Sequence, residues 1–131
     1  MKIGIDASRA FMKERTGIEE YAFQIIKHLR VPLKDENVVL YVKEQDYKRR
    51  KFELPSKWKV VSVPYNYLWT QFGLSWEMLS DPTDVLFVPA HTVPFIHPKG
   101  TVVTVHGLEY EHCPESYSGY SRWFHRVFVK R

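Results

Sequence analysis

The chain reads as an α/β domain built on a doubly wound, mostly parallel sheet of about five or more strands. Three observations predict this. Short runs rich in β-branched residues recur along the 131-residue sequence, and helical patterns or polar connections separate them. The first run, Lys2 to Ala7, has the short apolar character of a strand buried on both faces. No Asn-Gly or Asp-Gly pair lies between any two of them to close a tight hairpin.

Taken in order, Lys2-Ile3-Gly4-Ile5-Asp6-Ala7 is the first strand, and Ser8 to Arg15 is a polar connection. From Gly17-Ile18 onward, Ala22, Ile25, Ile26 and Leu29 recur at the spacing that places them on one side of a helix. Val31 to Glu36 breaks that pattern, and Val38-Val39-Leu40-Tyr41-Val42 is the second strand. Residues 43 to 57 are polar and basic with Pro55, a connection with room for one helical turn. Lys59 to Val63 is the third strand, stopped by Pro64. From Tyr67 to Leu79, the residues Leu68, Phe72, Trp76 and Leu79 share one helical face, predicting a second amphipathic helix that ends before Asp81-Pro82. Asp84 to Val88 is the fourth strand, ended by Pro89, and Thr101 to Val105 is the fifth, running into His106-Gly107. Ser118 to Arg131 closes the sequence as a third helix, with Tyr120, Trp123, Phe124, Val127 and Phe128 as its apolar stripe. In a sheet of this class ligands collect outside the carboxyl ends of the strands, so the loops after Ala7, Val88 and Val105 are expected to share one rim.

The length suits one domain with a real core and is too short for two. A hydrophobic fraction of 44% and a charged fraction of 26% are ordinary for a folded chain and argue against disorder. There is no apolar run of the roughly 20 residues that span a bilayer and no secretory leader pattern. The single cysteine, Cys113, cannot make an internal disulfide, so the expected compartment is the cytoplasm. The net charge of +4 favours polyanionic partners such as nucleotides or anionic lipid. The densest basic run, Lys48-Arg49-Arg50-Lys51, lies in a connection and reads first as a solvated loop, then as contact with an anionic membrane surface. The basic residues are dispersed and no nucleic-acid-binding motif is present, so no nucleic acid is expected as partner.

Several constellations bear on chemistry. Thr16-Gly17-Ile18-Glu19 fits a capping box, and it also fits an anion seat where Gly17 lets a phosphate approach the free amides of a helix start. On the residues alone the cap comes first, because Glu19 and Glu20 put negative charge where an anion would sit. The sequence has neither the Gly-x-Gly-x-x-Gly fingerprint nor a Walker loop. His106 stands at the carboxyl end of a central strand, where a histidine can hydrogen-bond a substrate hydroxyl or, in the structural alternative, a nearby carbonyl. His91, His97, His106, His112 and Cys113 match no zinc spacing, so no metal is expected. Nothing marks Cys113 as activated. Trp69, Phe72 and Trp76 could stack on a sugar or base, but their helical spacing favours core packing or an interface. The terminal stripe with its basic flanks suits an interfacial helix as well as one packed on a sheet.

The ordered set Lys2-Ile3-Gly4-Ile5-Asp6-Ala7, Arg9, Thr16-Gly17-Ile18, Tyr21, Asp84-Val85-Leu86-Phe87, Pro89, Val102 to Leu108 and Pro114-Glu115-Ser116-Tyr117-Ser118 resembles the amino-terminal half of a GT-B glycosyltransferase. It is similar to the retaining, metal-independent family 4 enzymes, and the resemblance spans nearly the whole chain. That likeness implies a Rossmann-like acceptor-side domain of a two-domain enzyme, with a nucleoside-diphosphate sugar as donor substrate, no metal, and a carbohydrate or lipid-linked acceptor. By position, Gly17 and Ile18 would face the donor diphosphate and His106 the transferred sugar as the catalytic histidine. His91, Thr92 and Glu109 would face the acceptor. The family usually carries a second glycine and a basic residue where Glu19 and Glu20 stand here. Its donor-side domain, with a Glu-x7-Glu motif, lies outside these 131 residues, so the chain is expected to be inactive without that half or a partner chain that supplies it. A cytoplasmic location, peripheral at the inner face of the membrane, fits a lipid-linked acceptor. The alternative is a non-catalytic module that binds carbohydrate or lipid, or self-associates through Tyr120, Trp123, Phe124 and Val127.

Overall fold

Successive strand residues face opposite ways, so a run such as Val38-Val39-Leu40-Tyr41-Val42 needs apolar cover on both sides. In the computed structural model, which describes residues 1–14, 16–47, 53–65, 67–90, 92–107, 119 and 123, it has that cover. The elements are β1 (Lys2–Asp6), α1 (Gly17–Leu29), β2 (Asn37–Lys43), α2 (Glu44–Tyr47), β3 (Trp58–Val63), a π-helical turn (Trp69–Leu74), α3 (Ser75–Ser80), β4 (Val85–Val88) and β5 (Gly100–Val103). The five strands form one parallel sheet in the order β3-β2-β1-β4-β5, with Ile5 of β1 set between Leu40 and Phe87. This is a Rossmann-like α/β arrangement with β1 at its centre.

The two faces carry separate cores. Ile3, Ile5, Val38, Leu40 and Val42 pack with Ala22 and Ile26 of α1 and with Phe11. Val39, Tyr41, Val63, Leu86 and Val88 pack with Trp69, Leu74 and Met78 on the other side. Gly4 belongs to this second face, where a Cβ would come within 3.1 Å of Thr83 and of the Tyr41 ring. The glycine thus lets Tyr41, which is fully buried, lie across β1. At the start of α1, Thr16 and Glu19 form the expected capping box, and Lys27 and His28 complement the dipole in the last turn.

The segment after β3 departs from the sequence pattern. In place of a regular helix over 67–79, the chain enters the π turn through Leu68, which holds left-handed backbone (φ 46, ψ 44), and only then continues as α3. Trp69, Gln71, Gly73, Leu74, Ser75 and Met78 face the sheet. The stripe expected to be buried points outward, with Phe72 55% and Trp76 59% exposed and Leu68 and Leu79 exposed beside them. The reason is close approach: a Cβ on Gly73 would lie 2.8 Å from Val63 Cγ1, so the small residues, rather than the largest, meet the sheet. β5 is also shorter than the run 101–105, although the Thr104 N–H still donates to the Val88 carbonyl at 2.9 Å. The expected third helix lies outside the described residues apart from Gly119 and Trp123, both exposed, and with it lie Tyr120, Phe124 and Val127. No helix among the described residues is long and apolar enough to cross a membrane.

Candidate functional site

The strand order places a topological switch between β1 and β4: the chain leaves β1 toward β2 and leaves β4 toward β5, in opposite directions along the sheet. Connections that diverge in this way open a crevice at the carboxyl ends of the two strands. The crevice here is a small hollow of about 50 Å³, lined by Asp6, Ser8 and Arg9 from the end of β1, Ile18 from α1, Thr70 from the π turn, and Ala90 and Thr92 beyond β4. At roughly 30 Å³ per water, it holds one or two groups of hydroxyl size.

Asp6 is the buried acid of this hollow. Its Oδ1 accepts the Ser8 N–H at 2.9 Å. Burial pushes the carboxyl up from its ordinary range, opposed by the Ser8 hydroxyl and amide and by the charges of Arg9 and Lys43. Arg9 reaches the other way, its Nη1 donating to Glu19 Oε1 at 3.1 Å. Glu19 Oε2 accepts the Thr16 N–H at 3.1 Å and also the Thr16 hydroxyl. Burial alone would raise the Glu19 carboxyl, but the Thr16 hydroxyl, the amides of Glu19 and Thr16 and the Arg9 guanidinium together hold it below the usual carboxylate range.

That geometry bears on the anion seat. The first intrahelical bond of α1 runs from the Glu20 N–H to the Thr16 carbonyl at 3.0 Å. Gly17 and Ile18, earlier in the turn, have no helical acceptor for their amides. The Glu19 carboxylate is engaged sideways with Thr16 and Arg9, and that of Glu20 accepts from Gln24 Nε2 at 2.7 Å further along the helix. Gly17 is exposed, and a Cβ built on it meets nothing within 4 Å. Open space therefore lies where a Gly17 side chain would project.

His106 stands beside the hollow rather than in its lining. Its Nε2 lies 2.8 Å from the Pro89 carbonyl, an acceptor only, so Nε2 carries the proton and the ring ties the end of β5 to the end of β4. The edge of Tyr21 packs on the imidazole at 4.8 Å and 82°, and the Tyr21 hydroxyl shares a 3.2 Å hydrogen bond with the Thr104 hydroxyl. Tyr21 sits one turn beyond Gly17 and Ile18 on the same helix, so it joins the α1 start to the histidine. Thr92 lines the hollow, whereas His91 and Glu109 lie outside the described residues.

Asp6, Ser8, Thr70 and the Arg9–Glu19 pair received no role in the sequence reading. An acid at the carboxyl end of a doubly buried strand was a usable signal for Asp6. Thr70 had none, because the π turn places it. Among the described residues no group of three or more His, Cys, Asp or Glu side chains could hold a metal ion. Chemically, the hollow offers a guanidinium, threonine and serine hydroxyls and a buried carboxyl, with Ile18 of the α1 start in its wall and the His106 imidazole outside the lining. Compared with models of protein families, with curated proteins and with solved structures, the chain matches none.

Proposed function

We propose that the chain is the acceptor-side domain of a nucleotide-sugar-dependent, retaining glycosyltransferase of GT-B type, working with a donor-binding half. The observation that supports this reading is the hollow at the β1/β4 switch, lined by Ile18 of the α1 start, with Tyr21 of the same helix packed on His106. In this reading the transfer breaks the bond between the anomeric carbon and the diphosphate oxygen. It forms one to an acceptor hydroxyl, whose proton departs. The amides of Gly17 and Ile18, at the positive end of α1, meet the diphosphate. His106 faces the transferred sugar. Thr92 faces the acceptor, and Asp6, Ser8 and Thr70 add the donors and acceptors that an acceptor hydroxyl needs.

Two amides are too few to stabilise the charge that builds on a departing diphosphate, so the chain alone is expected to transfer sugar slowly at best. The test is to mix it with a donor-binding half and assay transfer from UDP- and GDP-sugars. Transfer above that of either part supports the proposal, and no gain over either part counts against it.

A further inference from the structure

The outward stripe left by the π turn does not stand alone. Phe72, Trp76 and Leu79 join Tyr65 after β3 and Phe95 and Ile96 in the β4–β5 connection to line an open groove of about 360 Å³. The Phe72 and Phe95 rings meet edge to face at 6.0 Å. Ser75 and Gln71 are the polar lining residues; the Ser75 hydroxyl already accepts the Ile96 N–H at 3.3 Å, and Gln71 is 3% exposed. Among the described residues no charged side chain lines the groove. Aromatic side chains cover on the order of 150–250 Å² each when fully buried, so four half-exposed rings with Leu79 and Ile96 offer roughly 450–700 Å² per copy. That is at or above the upper end of the largest apolar patch of an ordinary monomer, about 300–600 Å².

We infer that this groove is the centre of a two-fold interface between copies of the chain, with Phe72 and Trp76 of each copy seated against the groove of the other. Three features select a second copy. The area, doubled, comes to roughly 900–1,400 Å², which reaches the lower part of the range of standard-size interfaces. The absence of charge and the wealth of aromatics match an interface core. The ridge (Phe72, Trp76) and the hollow it would fill belong to one patch, as an isologous contact requires. A sugar would find few polar partners there. An anionic membrane would meet Glu77 and Asp81, the acids on and just beyond α3.

The test is sedimentation velocity of the full chain from low micromolar to several hundred micromolar. The expected result is concentration-dependent dimerisation, weakened about tenfold or more in Trp76→Glu, as for a hot-spot aromatic. Because Trp76 is exposed, the variant should keep the wild-type circular dichroism spectrum. Phe72→Ser serves as a second variant if the first misfolds, and Val102→Ser, exposed on the opposite face of the sheet, should leave the dimer intact. A monomer at every concentration overturns the inference, as does a dimer indifferent to both groove substitutions. A monomer that floats with phosphatidylglycerol vesicles overturns it in favour of a membrane surface.

Discussion

Replacing Gly17 by alanine separates the conformation of the α1 start from the access it gives. Gly17 has no positive φ, and an added Cβ meets nothing within 4 Å, so alanine fits the native backbone without strain. The substitution reduces the freedom of the unfolded chain and should stabilise the fold by about 0.4–1 kcal/mol. For a domain of this size that is a rise in Tm of roughly 1–5 °C. In the proposed reading the same methyl group stands in the way of a phosphate approaching the amides of residues 17 and 18. Loss of one hydrogen bond to a charged group costs about 1.5–3 kcal/mol, so nucleotide-sugar affinity should fall by roughly 10- to 100-fold. Urea unfolding and calorimetric titration with UDP- and GDP-sugars, on the same preparation, read both effects. A more stable variant that binds as tightly as wild type refutes the diphosphate role of Gly17. A less stable variant refutes the local geometry itself.

Glu19 is held below its ordinary pKa, so its share of stability is complete above the unfolded value of about 4.3 and fades as pH falls through the folded one. Glu19→Gln should cost about 1 kcal/mol at pH 7 and flatten the acid limb of the stability profile, with the half-exposed Arg9 contributing little. Asp6 is shifted the opposite way: its ionised form burdens the fold above the folded pKa, and protonation relieves that burden as pH falls. Asp6→Asn should therefore be no less stable than wild type at pH 7 and gain less on acidification, both measured by urea midpoints. Gly73→Ala forces a Cβ to 2.8 Å from Val63 and 3.1 Å from Tyr65, and overpacking of this kind should lower stability by about 1–3 kcal/mol in chemical denaturation. Leu68 is the one non-glycine residue with positive φ among those described, so Leu68→Gly relieves about 1 kcal/mol of backbone strain against a similar cost in unfolded-chain freedom. It should leave Tm nearly unchanged, where a replacement at an unstrained position would lower it.

The centre of the sheet was legible because β1 and β2 are buried on both faces, which leaves apolar runs such as Val38 to Val42. The edge strands β3 and β5 keep exposed positions and were found by their β-branched residues. The start of α1 was legible because Thr16 and Glu19 sit at capping-box spacing. The segment after β3 was misread for a physical reason. Leu68, Phe72, Trp76 and Leu79 form the more regular apolar pattern, while the face that meets the sheet mixes Trp69, Leu74 and Met78 with Gly73, Ser75 and Gln71. Hydrophobicity selects the first set, and close approach through Gly73 selects the second. At the site, Gly17 and His106 could be found by their places at a helix start and a strand end. The Arg9–Glu19 pair depends on the path of the β1–α1 loop, and Thr70 on the π turn, and neither path is written in the spacing of those residues.

The most direct test of a sugar-transfer site at the β1/β4 switch is amide shift mapping of the labelled chain during titration with UDP-glucose and GDP-mannose. The expected perturbations fall on Arg9, Gly17, Ile18, Thr92 and His106, around the carboxyl ends of β1, β4 and β5. Shifts gathered instead at the lysine-lined hollow of Lys2, Asn37, Lys57 and Lys59, at the opposite end of the sheet, would contradict it, as would no response to either donor.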